Sequence, residues 1–193
     1  MSTEYSKKFK NNSKQLAANL VALIKKFRKE GHIEISDVQL DIVLEYVNDQ
    51  DELDAVSVFA SKLFGGEQSS VVTKIQSIIK RDETYFREHV SGIMPSSGSS
   101  IPSAVLEAVK ILTDRFAYLI SANTTHKDEK GNPIPLVKKE TKAVIWKYVD
   151  ALTRDAIEHF YTTNAVIDEV DKDKVFAEIR PPFMTHLEKS KSK

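Results

Sequence analysis

The sequence predicts an all-α fold, an irregular helical bundle of about seven helices. Seven segments repeat apolar residues with the helical period of about 3.6 residues. Alternation of period two never exceeds the four residues His32 to Ile35. The 193 residues are 41% apolar, enough for a packed core without staples.

The elements follow in order. Leu16, Leu20, Leu23 and Phe27 form the first stripe, widened by Val21 and Ile24, and Gly31 supplies a left-handed C-cap. Ser36 with Gln39 is a capping box for a second helix through Leu40, Val43, Leu44 and Val47, broken at Asn48-Asp49. Asp49 with Glu52 repeats the box for a third, whose face is Leu53, Val56, Phe59, Ala60 and Leu63, ended by Gly65-Gly66. Ser69 or Ser70 is expected to cap a fourth through Ile75, Ile78, Ile79, Phe86 and Val90.

Asp82 falls on that fourth stripe, and two readings are open. Either the helix breaks there and Asp82 caps a new one, or Asp82 is a buried carboxylate paired to Arg81, Lys138 or Arg154. Ser91 to Ser100 reads as a flexible linker. Pro102 opens the fifth helix, with Val105, Val109, Leu112, Phe116, Leu119 and Ile120 inward. His126 to Pro135 is a polar, turn-rich loop that no helix crosses. Val137 to about Asn164 is the longest helix, with Ile145, Tyr148, Val149, Leu152, Ala156, Ile157 and Phe160 inward. A seventh helix, residues 168–180, uses Val175, Phe176 and Ile179 and is expected to stop at Pro181-Pro182. The resulting division is an N-terminal helical region 1–66, a C-terminal bundle 67–180 and a flexible tail 181–193.

Charge excludes some classes. Basic and acidic residues balance at 28 each, so no uniform basic coat exists for nucleic acid, and cysteine is absent, removing disulfides and thiolate chemistry. Residues 1–29 nevertheless carry a balance of +7 and residues 30–67 one of −9. The basic head could neutralise phosphates, which makes residues 7–29 the possible nucleic-acid contact, or it could attract the acidic stretch or a sister subunit. The longest apolar stretch, Leu16 to Ile24, is far below the roughly 20 residues that span a bilayer. No membrane contact and no cleaved signal are expected, which puts the chain inside a cell or a virion.

No nucleophile elbow, phosphate loop, dinucleotide fingerprint or HExxH pattern occurs, so no enzyme, cofactor or metal site is expected. Asp155 and His159 share a face at i, i+4 and read as a surface ion pair rather than metal ligands. Trp146 lies on the flank of its stripe, either as an anchor for a partner or closing the core edge with its N–H in water. The partner-contact candidates are Trp146, Tyr85, Phe86, Asp82, Lys25, Lys26, Arg28 and Lys29.

Two resemblances bear on function. Arg81, Asp82, Glu83, Tyr85 and Phe86 on one helix, with Ile145, Trp146, Lys147 and Tyr148 on another, resemble a helical family of nucleocytoplasmic large DNA viruses; Val149 stands where that family has Leu. The resemblance implies a viral protein without an assigned enzymatic activity; the apolar helix faces are expected to dock onto a protein partner or a second copy. Met94-Pro95, a Ser/Gly loop, and Asp114 and Phe116 on a long helix are similar to an H2B-type histone fold, which implies a DNA-compacting role. Residues 80–193 carry a balance of only +1, well short of the charge that wraps DNA.

Overall fold

The computed structural model describes residues 3–65, 67–85, 88, 102–120, 125–163 and 172–191. The described residues form seven long helices and one small hairpin, so the chain is all-α. The helices are α1 (Glu4–Lys29), α2 (Asp37–Asp49), α3 (Glu52–Phe64), α4 (Gln68–Lys80), α5 (Ser103–Ile120), α6 (Lys139–Thr163) and α7 (Lys172–Lys191). Strands β1 (Thr125–Lys127) and β2 (Pro133–Pro135) pair antiparallel between α5 and α6.

The chain divides into two compact units that interleave along the sequence. Unit 1 is Met1–Ser13, Gln50–Asp82 and Tyr148–Lys193; unit 2 is Lys14–Asp49 and Glu83–Lys147. These units differ from the division after residue 66 that composition suggests, because composition marks where a local helix stops whereas units are set by which apolar faces pack together. Both α1 and α6 run across the division.

In unit 2, α2 lies against α5. Val21, Ile24 and Phe27 of α1 bury with Leu40 and Val43 of α2 and Ala108, Leu112 and Leu119 of α5, joined by Leu136 and Val137. The cap at Gly31 has the expected form: φ is 78°, and His32 N–H donates to the Phe27 carbonyl at 2.9 Å. The capping box of α2 is likewise present. Gln39 N–H donates to Ser36 Oγ at 3.2 Å, and Ser36 N–H donates to Gln39 Oε1 at 3.1 Å. The Pro102 carbonyl accepts the first bonds of α5 from Val105 and Leu106.

The loop expected from His126 to Pro135 is instead the β-hairpin. Gly131, at φ 82°, closes its tip, where Asp128 accepts from the backbone N–H groups of Lys130 and Asn132 at 2.9 and 2.8 Å. Strands of three residues, one of them Pro133-Ile134-Pro135, are too short to register as a pattern of period two.

In unit 1, α4 packs against α3 and α7. Phe64 is 1% exposed and stands edge-on to both Phe160 and Phe176, while Phe9 meets Phe59. The cap of α3 is Asp51, two residues later than expected, with Leu53 N–H donating to its carboxylate at 2.8 Å. Gly65 caps the end of the helix, where a Cβ would lie 2.2 Å from the Ser61 carbonyl oxygen, so the position suits glycine. Lys74 reaches back from α4 and donates to the carbonyls of Lys62 and Gly65, at 2.8 and 2.9 Å, which α3 leaves without partners. Helix α4 starts after Glu67 with no side-chain cap, rather than from Ser69 or Ser70.

The seventh helix does not stop at Pro181-Pro182, and residues 181–191 are not a loose tail. Helix α7 runs through both prolines to Lys191. Its buried stripe of Val175, Phe176 and Ile179 continues to Phe183, which is 0% exposed. Ala177 and Glu178, whose carbonyls lose their donors four residues on, are exposed, so water can satisfy them. Burial of a phenylalanine contributes about 1.5–3 kcal/mol against that local cost.

Candidate functional site

Among the described residues, helix α6 carries most of the buried polar side chains. From Asp150 to Phe160 only Ala151 and Arg154 are not buried. Leu152, Ala156, Ile157 and Phe160 supply the apolar packing that the periodicity predicts, but Asp150, Thr153, Asp155, Glu158 and His159 are buried beside them. A helix enclosed on nearly every side has no solvated face for its charges, so each must find a partner within the protein.

Apart from Arg154, which neighbours Asp155 on α6 itself, the partners are distant in sequence. Arg81 Nη1 and Nη2 donate to the two oxygens of Asp150 at 2.7 and 2.5 Å, and His186 Nε2 lies 3.3 Å from Oδ1. Arg154 donates through Nε and Nη2 to Asp155 Oδ1 at 2.9 and 2.7 Å, while Asn12 Nδ2 donates to Oδ2 at 2.9 Å. Arg180 forks onto Glu158 at 2.7 and 3.1 Å and stacks over the Tyr161 ring at 4.5 Å. Arg81 and Arg180 thus reach both oxygens of their carboxylates, the two-donor geometry that makes such bonds strong, whereas Arg154 places both donors on one oxygen.

His159 is held differently. Its Nδ1 lies 2.7 Å from Thr3 Oγ1. Thr3 Oγ1 already accepts from Ser6 N–H at 3.2 Å and Thr3 N–H donates to Ser6 Oγ, a capping arrangement that starts α1. Burial, then the positive chain terminus, pushes the His159 pKa below the ordinary value.

Burial raises the Asp155 carboxyl pKa, against the opposing pull of Arg154 and Asn12. Thr153 Oγ1 is buried with no hydrogen-bond partner among the described residues. Asp155 and His159 are therefore not the expected surface ion pair: both are buried and each bonds elsewhere. No group of three or more metal-ligating side chains converges among the described residues.

The sequence-predicted contact residues are not gathered into this site. Arg81, not Asp82, makes the buried pair. Its backbone turns left-handed at φ 58° and ends α4, leaving Asp82 exposed at the break, with helix resuming at residue 83. This is the helix break expected at Asp82. Tyr85 is half-buried, with its phenol pKa raised by burial, and Trp146 is half-buried on α6. Phe86 lies outside the described residues.

The basic head meets the acidic stretch. Lys25 reaches Asp37 and Asp41 at 3.8 and 3.6 Å, Arg28 reaches Asp37 at 2.9 Å, and Lys26 lies 3.9 Å from Glu30. Lys29 is exposed. These are exposed or half-exposed pairs of small energetic weight.

A pocket of about 330 Å³ opens in unit 2, lined by Gly31, His32, Ile33, Glu34, Arg115 and Tyr118. Spacing along the chain could not find the α6 partners: Thr3, Asn12, Arg81, Arg180 and His186 lie 22 to 156 residues from the groups they meet. The available signal was the density of ionisable residues on one apolar helix. No described helix is long and apolar enough to cross a membrane. No known family, curated protein or solved structure matches the chain.

Proposed function

We propose that the chain is a non-enzymatic helical structural or protein-interaction protein of a large DNA virus, working inside the virion or the infected cell. The observation that carries this reading is the one-to-one neutralisation on α6: Asp150 by Arg81, Asp155 by Arg154 and Glu158 by Arg180. A general acid or base directs its lone pairs or proton at a substrate. These carboxylates direct theirs at guanidinium groups and so tie α4 and α7 to α6. The viral part of the proposal rests on the resemblance of residues 81–86 and 145–148 given above.

Contact chemistry is available at the surface of unit 2. Val38, Tyr118, Ile134 and Val144 are large apolar residues that stay exposed, and Tyr118 lines the pocket with Arg115. Tyrosine and arginine are the side-chain types that dominate binding hot spots.

Sedimentation over a range of concentrations, with cross-linking mass spectrometry beside proteins of the same source, tests the reading. An oligomer or a defined partner cross-linked through unit 2 is expected. A chain that stays monomeric and cross-links to nothing contradicts it. Fluorescence anisotropy with duplex DNA at two salt concentrations tests the histone-like alternative. Lys25, Lys26 and Arg28 already lie beside acids, so little binding is expected, whereas tight binding lost steeply with salt would favour the alternative.

A further inference from the structure

We propose that His32 and His126 form a binding site for a divalent transition metal, with Zn²⁺ as its representative. His32 lies in the connection between α1 and α2 and His126 in β1, and both belong to unit 2. Their ring centroids are 6.1 Å apart, with planes inclined at 46°. A zinc-bound imidazole nitrogen lies about 2.0–2.1 Å from the metal, which puts the ring centroid about 3.2 Å away, so two rings on one ion stand at most about 6.4 Å apart. That limit belongs to a linear arrangement; at the tetrahedral angle the centroids stand about 5.2 Å apart, and His126, on an exposed strand, closes the remaining distance by turning its side chain.

A carboxylate stands close by. Glu30 Oε2 is 3.8 Å from His32 Nε2, against about 3.4 Å between neighbouring ligands of tetrahedral zinc. The site follows the C-terminal end of α1, whose dipole favours a cation. The adjoining pocket, which His32 lines, has room for water to complete the coordination shell. The opposing groups are Lys26, which lies 3.9 Å from Glu30, and Arg115 in the pocket lining. Because no three ligands already converge, the site is a clamp of two imidazoles that Glu30 enters by side-chain rotation. Imidazole donors select zinc, copper or nickel over calcium or magnesium. A bound ion would fasten the hairpin to the α1–α2 connection.

The test is a titration of the full chain with Zn²⁺ alone, read by imidazole ¹⁵N resonances and by thermal unfolding. The resonances of His32 and His126 should move together with one ion per chain, those of His159 and His186 should stay, and the unfolding midpoint should rise. Since the second coordination bond is intramolecular, His126→Ala should weaken binding roughly a hundredfold, and so should His32→Asn. Glu30→Gln should weaken it less. Imidazole resonances unmoved by millimolar Zn²⁺, or binding undiminished in either histidine variant, would overturn the proposal. His126 is exposed, so its variant tests the site without disturbing the core.

Discussion

Arg81 ends α4 in the left-handed backbone conformation and places both of its terminal nitrogens on Asp150 of α6. A non-glycine residue at that position costs about 1–2 kcal/mol, which glycine would avoid. The side chain explains its presence: the turn that terminates α4 also aims the guanidinium at a carboxylate that is 5% exposed. Helix termination and buried charge neutralisation are thus performed by one residue. The same logic recurs at Thr3, which both caps α1 and meets His159.

Removing one member of the Arg81–Asp150 pair should be more damaging than an exposed pair would suggest. Asp150→Ala leaves the guanidinium facing a cavity, and a loss of about 3 kcal/mol of unfolding free energy is expected in urea denaturation. Arg81→Gly should cost less than Arg81→Ala, because glycine keeps the left-handed turn without strain.

Stability should depend on pH through His159. Its folded pKa lies below the ordinary 6.5 because burial disfavours the charged ring. The unfolded chain therefore binds the proton first: the contribution is fully present above the unfolded value and is lost as pH falls through it toward the folded one. Unfolding free energy measured between about pH 7.5 and pH 5 should fall in the native protein and fall less in His159→Gln.

Asp155 has the opposite sign. Its folded pKa is raised by burial, so its stabilising contribution is present below the unfolded value, 3.8, and is lost as pH rises through the folded value. Asp155→Asn keeps the shape and removes the buried charge, so thermal unfolding at neutral pH should show a midpoint equal to or above the native one. Asp155→Ala should lower it, since the donors of Arg154 and Asn12 lose their acceptor.

Truncation after residue 180 should destabilise the protein rather than trim an inert end. Phe183→Ala should cost about 3–5 kcal/mol in the same denaturation experiment, the range for an aromatic side chain deleted from a core. Amide hydrogen exchange should show protection continuing past Pro182.

Much of the fold was legible because helices write a strong local signal. The stripes of α1, α2, α5 and α6, the Gly31 cap, the Ser36–Gln39 box and the break at Asp82 all follow from spacing over a few residues. The prolines of α7 misled because a local rule was outweighed by Phe183, whose burial depends on tertiary packing. The polar row of α6 was illegible for a related reason. Asp150, Asp155, Glu158 and His159 look like surface residues until other helices meet them, and nothing near them in the chain names Arg81, Asn12, Arg180 or Thr3 as their respective partners. The hairpin was missed because its strands are short and Pro133 and Pro135 read as loop.

The most direct test of the claim that α6 spends its charges on holding helices together is a double-mutant cycle at Glu158 and Arg180. Unfolding free energies of Glu158→Ala, Arg180→Ala and the double variant should give a coupling of at least about 1 kcal/mol. Single costs that add within about 0.3 kcal/mol would show that the pair does not bind α7 to α6, and would contradict the account.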